Sequence, residues 1–334
     1  MKIAFTTQLP KEGFKRLIER GLSDWSLING DASLNGEWQE AEILVSTFDY
    51  KVPREMIVAM PHLKMIANFG AGYNNIDLEA CRERGIRVTN TPQPVIEPTA
   101  ELAFALMIDV ARRVSEFDRA IRNGTGQPMA VMNNLSHSLY GKTLGIIGMG
   151  RIGQALARRA IASGMKILYH NRKPINVQGD NVQCTKENNA QCTKDWRTEV
   201  IKQAQYVDFQ TLLQDSDFVS LNLPYTPEVH HIIGKPELGM MKRSAYLINT
   251  ARGAHVNEQA LVEALKSGII AGAALDVYEH EPAISPELLA LPNVVLSPHT
   301  GTGTWEGRIA MCECVTDNIL AFIDNEYNKM NIVL

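Results

Sequence analysis

The sequence predicts an α/β protein of two lobes, each built on a doubly wound parallel sheet. Three observations predict it: two series in which short apolar runs alternate with helical patterns, a proline-rich break between the series, and a glycine-rich turn after a strand of the second series. Strand–helix alternation favours a parallel sheet because the helices then cover both of its faces. The length of 334 residues agrees with about two domains.

The first series occupies residues 1–98. Its patterns predict strands at residues 2–7, 25–28, 43–46, 63–69 and 87–89, with helices at 12–20, 53–60 and 77–84. Prolines at positions 92, 94 and 98 mark a boundary. Residues 99–122 carry apolar side chains at helical spacing without a proline, which predicts one long helix. Residues 123–140 are rich in Gly, Asn and Ser, which indicates a surface loop.

The second series runs from residue 142 to about residue 298. Its predicted strands are 143–148, 166–170, 218–221, 245–249, 272–275 and 294–296. Two such lobes joined by a hinge predict a cleft between them, and ligands of these folds bind beyond the carboxyl ends of the strands. A last helix is predicted at residues 304–324. The polar segment 176–203 is expected to be a surface insertion rather than a metal site, because Cys184 and Cys192 have no further Cys or His nearby.

Composition excludes several classes of protein. The net charge of −4, from 33 basic and 37 acidic residues, leaves no excess of positive charge for nucleic acid. No apolar run reaches the length that a bilayer requires, and the amino terminus lacks the apolar core of a signal peptide. Five cysteines, an odd and scattered number, fit a reduced cytoplasmic protein. We therefore expect a cytoplasmic protein with no nucleic-acid or membrane partner and no bound metal.

The glycine-rich turn predicts a dinucleotide site. Gly148, Gly150 and Gly153 follow the strand at 143–148 and open a helical pattern within a strand–helix–strand unit. The first glycine suits a tight turn, the second admits a pyrophosphate, and the third lets the helix pack close to the strand. The helix start, with Arg151 and Ile152, offers N–H groups and a positive dipole end to the phosphates.

The end of the next strand bears on which dinucleotide binds. An NAD site usually carries Asp or Glu there to accept hydrogen bonds from the ribose 2′-hydroxyl. This chain has Asn171, Arg172 and Lys173 instead. Two cations can pair with a 2′-phosphate, which favours NADP(H) slightly, although Asn171 can also hydrogen-bond the ribose of NAD. The cofactor is thus expected to be NAD(P)H.

Three consecutive predicted strands of the second lobe end in polar residues, and these ends carry a family resemblance. The motifs are Asn-Thr-Ala-Arg-Gly at 249–253, Asp-Val-Tyr-Glu-His-Glu-Pro at 276–282 and Ser-Pro-His-Thr-Gly at 297–301. Together with the glycine fingerprint, Phe-Gly-Ala-Gly-Tyr-Asn-Asn-Ile-Asp at 69–77 and Thr-Ala-Glu at 99–101, they resemble the D-isomer-specific 2-hydroxyacid dehydrogenases. The likeness covers essentially the whole chain and is greatest to the glyoxylate/hydroxypyruvate reductase branch.

The resemblance implies an architecture and an activity. It implies a flavodoxin-like substrate domain from residues 1–98 and 304–334, to which the last helix returns, and a Rossmann dinucleotide-binding domain from residues 99–303. It further implies a homodimer that reduces a small 2-oxo acid to the 2-hydroxy acid by hydride transfer from NAD(P)H.

The resemblance also assigns the site residues. The family's arginine falls on Arg252, its acid on Glu281 and its histidine on His299. An arginine can hold the substrate carboxylate and polarise the ketone, a histidine can move the proton, and a carboxylate on the imidazole can orient it. His299 and Arg252 thus contact substrate, as do the backbone N–H groups of Ala71 and Gly72 from the other lobe. Residues implied to line the nicotinamide and its ribose are Thr250, Ala251, Asp276 and Gly301. The histidines expected to be ordinary loop residues are His230, His231 and His280.

Two alternatives stay open. One is a phosphoglycerate-type dehydrogenase, disfavoured because the chain has no added regulatory domain. The other is a non-catalytic, dinucleotide-sensing protein like the transcriptional corepressors of this fold. A formate dehydrogenase is disfavoured, because the formate enzymes carry glutamine where this chain has Glu281. Departures from the family pattern occur at residues 127–132, where related reductases often have tryptophans, and at residues 300–305 after His299.

Overall fold

The computed structural model describes residues 1–28, 36–175 and 196–334. The chain divides into two compact units, one formed by Met1–Pro98 with Thr302–Leu334 and the other by Thr99–Gly301. No helix within these described ranges is both long enough and apolar enough to cross a bilayer. Cys184 and Cys192, on which the metal alternative rested, lie outside the described residues.

The first unit contains a five-stranded parallel sheet. Its strands are β1 (Ile3–Phe5), β2 (Trp25–Leu27), β3 (Ile43–Thr47), β4 (Met65–Phe69) and β5 (Arg87–Thr89). Its helices before the boundary are α1 (Lys15–Glu19), α2 (Arg54–Val58) and α3 (Leu78–Glu83). The strand order β2-β1-β3-β4-β5 is that of flavodoxin-like folds. Buried side chains such as Leu44 and Ile66 from the sheet pack with Ile57 from α2 in one core.

The second unit contains a seven-stranded parallel sheet. Its helices are α4 (Ile96–Arg112), α5 (Val114–Arg122), α6 (Arg151–Ala162), α7 (Trp196–Gln203), α8 (Phe209–Asp215), α9 (Lys235–Met240), α10 (Glu258–Lys266) and α11 (Pro286–Leu289). Its strands are β6 (Thr143–Ile147), β7 (Lys166–His170), β8 (Ala204–Tyr206), β9 (Phe218–Leu221), β10 (Tyr246–Asn249), β11 (Gly272–Leu275) and β12 (Val294–Leu296). The order β12-β11-β10-β9-β6-β7-β8 contains the Rossmann arrangement with one further strand. The predicted α/β class with two parallel sheets is confirmed.

The last helix, α12 (Trp305–Ile323), belongs to the first unit. The Thr304 hydroxyl caps it by accepting from the N–H of Gly307. Thr316 donates to the carbonyl of Gly13, and Asn318 donates to the carbonyl of Asn90. The helix is therefore fixed to its own unit by buried hydrogen bonds as well as by apolar packing.

The prediction of one helix over residues 99–122 is wrong. Arg113 adopts a left-handed conformation with φ of 59°, and it separates α4 from α5. The Asp109 carboxylate accepts hydrogen bonds from the N–H and the hydroxyl of Ser115, 2.7 Å away for the N–H, and so caps the second helix.

The surface insertion predicted over residues 176–203 is wrong at its carboxyl end. Residues 176–195 lie outside the described residues, but Trp196–Gln203 form α7, in which Val200 and Ile201 are buried. The guanidinium of Arg158 on α6 lies 4.3 Å from the ring centroid of Trp196. The sequence analysis also missed the short strand β8, which follows α7 directly and pairs with β7.

Candidate active site

The imidazole of His299 is paired with the carboxylate of Glu281. Glu281 follows β11 and His299 follows β12, and these neighbouring parallel strands bring the two side chains to the same edge of the sheet. His299 Nδ1 lies 2.8 Å from Glu281 Oε2, and Glu281 Oε1 accepts from the N–H of Tyr278 at 2.9 Å. Since both carboxylate oxygens are engaged, the orientation of the ring is fixed at Nδ1.

Glu281 is an ionised acid at neutral pH. Burial alone would raise the pKa of its carboxyl, but the hydrogen bonds from His299 and from the N–H of Tyr278, together with the charge of Arg252, lower it below the ordinary 4.5. A negative group therefore contacts the imidazole of His299 and interacts electrostatically with the guanidinium of Arg252.

Arg252 stands just after β10, the next strand of the sheet. Its Nη1 donates to the carbonyl of Ala251 at 2.6 Å, and its own carbonyl accepts from Asn249 at 2.9 Å. Burial lowers the pKa of the guanidinium, and Glu281 opposes that shift, so that the group stays cationic at neutral pH. A Cβ at Gly253 would lie 1.9 Å from the backbone of Tyr278, so that only glycine allows this turn to pack against the segment leading to Glu281.

Asp276 anchors the loop that carries His299. Its side chain is 1% exposed, and its two oxygens accept from the N–H groups of Thr300 and Gly301, each at 2.8 Å. The N–H of His299 donates to the Asp276 carbonyl, also at 2.8 Å. His299 itself has a φ of 54°, a left-handed conformation that such fixed surroundings can maintain. Asp276, predicted as a cofactor contact, thus also holds the histidine loop in place.

The glycine turn has the geometry expected of a dinucleotide site. Gly148 has a φ of 95°, and a Cβ there would lie 2.8 Å from the backbone of Asn222. A Cβ at Gly150, the amino-terminal cap of α6, would meet nothing within 4 Å, whereas one at Gly153 would lie 2.5 Å from the Gly148 carbonyl oxygen. The first glycine therefore serves the turn, the third serves helix–strand packing, and the second leaves open space at the helix start.

The end of β7 carries no carboxylate. Asn171 Oδ1 accepts from the N–H of Met149 at 2.7 Å and so supports the glycine turn. Arg172 and Lys173 are exposed, and the charge of Arg172 contributes to a lowered pKa of Glu228, after the hydrogen bonds that this carboxylate accepts from Thr226 and from its own backbone. Both cations lie at the carboxyl end of β7, where a ribose substituent is expected.

In the first unit, the loop after β4 contains Ala71 and Gly72. Asn90 donates to the carbonyl of Ala71 at 2.8 Å, and Asn68 donates to the carbonyl of Gly72 at 2.8 Å. Among the described residues, no acceptor takes the backbone N–H of Ala71 or Gly72. Two neighbouring N–H donors are therefore available for an anion.

Residues 104–301 match the family described as D-isomer specific 2-hydroxyacid dehydrogenase, NAD binding domain. A glyoxylate reductase of Thermococcus litoralis is 44% identical over 97% of this chain and 94% of its own length. The chain belongs to the D-isomer specific 2-hydroxyacid dehydrogenase family. It is therefore an oxidoreductase with an NAD(P)-binding domain, as the resemblance implied.

Solved structures of the family cover the same length. A glyoxylate reductase of Paecilomyes thermophila is 35% identical, with a TM-score of 0.83 over 100% of this chain and 98% of its own. An NADPH-dependent glyoxylate/hydroxypyruvate reductase of Sinorhizobium meliloti, solved with NADP and malonate, is 30% identical, with a TM-score of 0.79 over 96% of this chain and 93% of its own.

The residues of this dehydrogenase fit the dinucleotide that its family binds. The hydroxyl of Thr250 is buried at the end of β10 and has no hydrogen-bond partner among the described residues, and the same is true of Asn222 Oδ1 at the end of β9. Such buried polar atoms call for a partner, and a bound cofactor supplies hydrogen-bonding groups. The sequence analysis missed Asn222, although its place directly after a buried strand was the signal that could have found it.

Two further residues of the dehydrogenase escaped the sequence analysis. Asn68 and Asn90 hold the carbonyls of the Ala71 loop, but neither position differs from an ordinary strand-end asparagine in the sequence. Their role follows only from the fold, because Asn68 is the second-last residue of β4 and Asn90 follows β5, its neighbour in the sheet.

The dehydrogenase should lose stability in acid through His255, three residues after Arg252. The ring is fully buried, and burial lowers its pKa from 6.5 to about 4. The unfolded chain therefore binds a proton in this range that the folded chain does not, so that stability is full above pH 6.5 and falls towards pH 4. We expect His255 to contribute a loss of about 1.4 kcal/mol per pH unit to the free energy of unfolding.

Urea unfolding at several pH values between 7 and 4 measures this slope. His255→Asn should unfold with a shallower dependence on pH, whereas His62→Asn, at an exposed histidine, should keep the slope of the parent protein. Equal slopes in all three proteins would assign the acid sensitivity to other groups.

Proposed function

We propose that this dehydrogenase reduces a small 2-oxo acid such as glyoxylate or hydroxypyruvate, with His299 as the acid/base group. The observation that carries the proposal is the His299–Glu281 pair, in which Nδ1 lies 2.8 Å from Oε2. The charge of Arg252 is close enough to this pair to lower the pKa of Glu281. The glyoxylate reductases among its relatives support the substrate class.

The reaction needs a carboxylate receptor, a proton donor and a hydride. Bound NAD(P)H supplies the hydride to the ketone carbon. Arg252 holds the substrate carboxylate through its forked N–H groups and polarises the ketone oxygen. As negative charge develops on that oxygen, His299 delivers a proton to it, which completes the alcohol; in the oxidative direction the same ring takes the proton back. Glu281 orients the ring and stabilises the imidazolium form.

The other substrate contacts stay predictions. The two N–H groups of Ala71 and Gly72, without acceptors among the described residues, support a role in carboxylate binding. For the cofactor, the N–H groups at Gly150, Arg151 and Ile152 are proposed to face the pyrophosphate. The nicotinamide and ribose contacts proposed are Thr250, Ala251, Asp276 and Gly301.

The substrate proposal is tested with a panel of 2-oxo acids. Purified protein is mixed with NADPH or NADH, and the loss of reduced-nicotinamide absorbance is followed for each acid. Glyoxylate and hydroxypyruvate should give the highest kcat/KM. Turnover only with the 2-oxo acid that forms when phosphoglycerate is oxidised would favour the phosphoglycerate-type alternative. Binding of cofactor without turnover of any acid would favour the dinucleotide-sensing alternative.

NADP(H) is the proposed cofactor, because Arg172 and Lys173 replace the carboxylate that selects NAD. Arg172→Ala should weaken NADPH binding by roughly tenfold or more, the effect of one charge-assisted hydrogen bond, and should leave NADH binding nearly unchanged. Titration of protein fluorescence with each cofactor measures both affinities. Lys166→Ala, at the opposite end of the same strand, is the matched control and should change neither. Equal losses for the two cofactors would contradict a phosphate contact.

A homodimer is the proposed assembly. The described chain exposes apolar side chains on the loop after α5, with Met129 101%, Val131 92% and Met132 74% exposed. A second copy of the chain would remove this surface from water. Light scattering during gel filtration should give twice the mass of the chain, and Val131→Asp should shift that mass towards one copy.

A further inference from the structure

His230, His231 and Glu279 form a cluster in the second unit that the proposed reaction does not use. Each offers one ligand atom, and the three atoms all lie within 4.8 Å of one another. Across residues 1–28, 36–175 and 196–334, this is the one set of three His, Cys, Asp or Glu residues so placed. The sequence analysis expected both histidines to be ordinary loop residues. Glu279, which lies 48 positions from His231 in the chain, is brought to them only by the fold.

The three side chains already converge without a metal. His231 Nε2 lies 2.5 Å from Glu279 Oε1. The rings of His230 and His231 stack, with centroids 3.9 Å apart and planes 25° apart. Two imidazoles side by side and one carboxylate therefore lie at one place, two of them partly buried and His230 exposed to solvent.

Each member of the cluster is held by a further contact. The Tyr225 hydroxyl lies 3.3 Å from His230 Nδ1. Glu279 Oε2 accepts from the N–H of Glu258 at 3.0 Å, which leaves Oε1 directed at His231. The N–H of His231 donates to a backbone carbonyl at 2.9 Å. His231 has a φ of 52°, a value that residues other than glycine rarely adopt. Outer contacts that orient each ligand are a regular property of metal sites.

We propose that His230, His231 and Glu279 bind a divalent transition-metal ion of the zinc type, with a fourth position open to water. Two imidazoles and one carboxylate are a ligand set that suits Zn²⁺, Co²⁺ and Ni²⁺, whereas Mg²⁺ and Ca²⁺ prefer oxygen ligands. The ion takes the place of the proton shared by His231 and Glu279, so that the existing pair serves as the metal-free form. An ordinary ion pair would need only two of these residues.

The site has a structural consequence within its unit. His231 belongs to the segment after β9, and its N–H binds the Ala254 carbonyl in the turn after Arg252. Glu279 belongs to the segment after β11, two residues before Glu281. A bound ion links these segments at their side chains, and because it binds only the folded protein it raises the melting temperature.

Metal binding is measured on the full chain after removal of metals with a chelator and without added cofactor. Co²⁺ should give the visible absorption of a low-coordinate site at one equivalent, and calorimetry with Zn²⁺ should give the same stoichiometry. Mg²⁺ should give no signal. His230→Gln and Glu279→Gln should each weaken Zn²⁺ binding by about tenfold or more. His62→Gln is the matched control, because His62 Nε2 faces a single carboxylate, Glu40, at 3.5 Å, and it should bind Zn²⁺ as the parent does.

Three results would overturn the proposal. The first is a parent protein that binds neither Co²⁺ nor Zn²⁺. The second is unchanged affinity in both His230→Gln and Glu279→Gln, which would leave the cluster as an ion pair alone. The third is loss of binding in the double variant C184S/C192S, which would place the ion on thiolates. His230 is exposed, so that its variant is expected to fold, and thermal unfolding with and without Zn²⁺ gives a second reading on every protein.

Discussion

Replacing His299 is expected to reduce turnover of the 2-oxo acid by about 10²- to 10⁴-fold, the usual contribution of a positioned general acid. His299→Asn is the sharper variant, because asparagine tolerates the φ of 54° at this position but cannot donate a proton at neutral pH. His299→Ala should show a similar loss. Steady-state rates with saturating NADPH measure kcat and KM separately.

The turnover of His299→Asn should fall without a fall in its affinity for the cofactor. Fluorescence titration should give nearly the same NADPH affinity for the parent and for His299→Asn, because the glycine turn and α6 are unchanged. His280→Asn is the matched control on the neighbouring segment, and it should keep the parent rate. Near-normal turnover in His299→Asn would refute the proton role.

The second large effect concerns Arg252→Lys, which keeps the charge but removes the fork. A hydrogen bond to a charged group is worth about 1.5–3 kcal/mol, so that kcat/KM should fall by roughly 10- to 100-fold. Lysine can hold the carboxylate at only one point, and it cannot also polarise the ketone oxygen. The loss should therefore appear in kcat as well as in KM.

The matched control is Arg243→Lys, at a surface arginine whose Nε donates to the Gly268 carbonyl at 3.1 Å. Its kinetics should equal those of the parent. An unchanged kcat in Arg252→Lys, with only KM raised, would restrict Arg252 to substrate binding and remove the polarising role.

The sequence alone predicts those parts of the site that depend on strand ends. Arg252, Glu281 and His299 each follow a buried apolar run, and the carboxyl ends of neighbouring parallel strands necessarily meet at one edge. The glycine turn is predictable for the same reason, since Gly148 and Gly153 answer local steric requirements and Gly150 leaves space at the helix start. Spacing predicts where these polar residues lie, whereas the roles of Arg252, Glu281 and His299 were implied by the family resemblance.

Features that depend on contacts between distant segments were not predictable. The break at Arg113 has neither glycine nor proline to announce it, and it depends on Asp109 reaching the first turn of the next helix. The contact between His231 and Glu279 depends on the positions of two loops, one after β9 and one after β11, that are far apart in the sequence. The family resemblance implied that Asp276 contacts the cofactor. Its hydrogen bonds to the N–H groups of Thr300 and Gly301 could not be predicted from the alternation of apolar and polar residues.

The hydrogen bonds between Asp276 and this loop determine which substitutions the loop tolerates. Asp276 holds the segment after His299 through main-chain N–H groups, which every residue except proline carries. A substitution at position 300 other than proline can therefore be accepted without shifting the imidazole, whereas position 301 has less freedom because a Cβ on Gly301 would lie 3.3 Å from the Asp276 carboxylate. Loss of the Asp276 carboxylate would remove both acceptors at once, so that the placement of the imidazole depends chiefly on one buried acid.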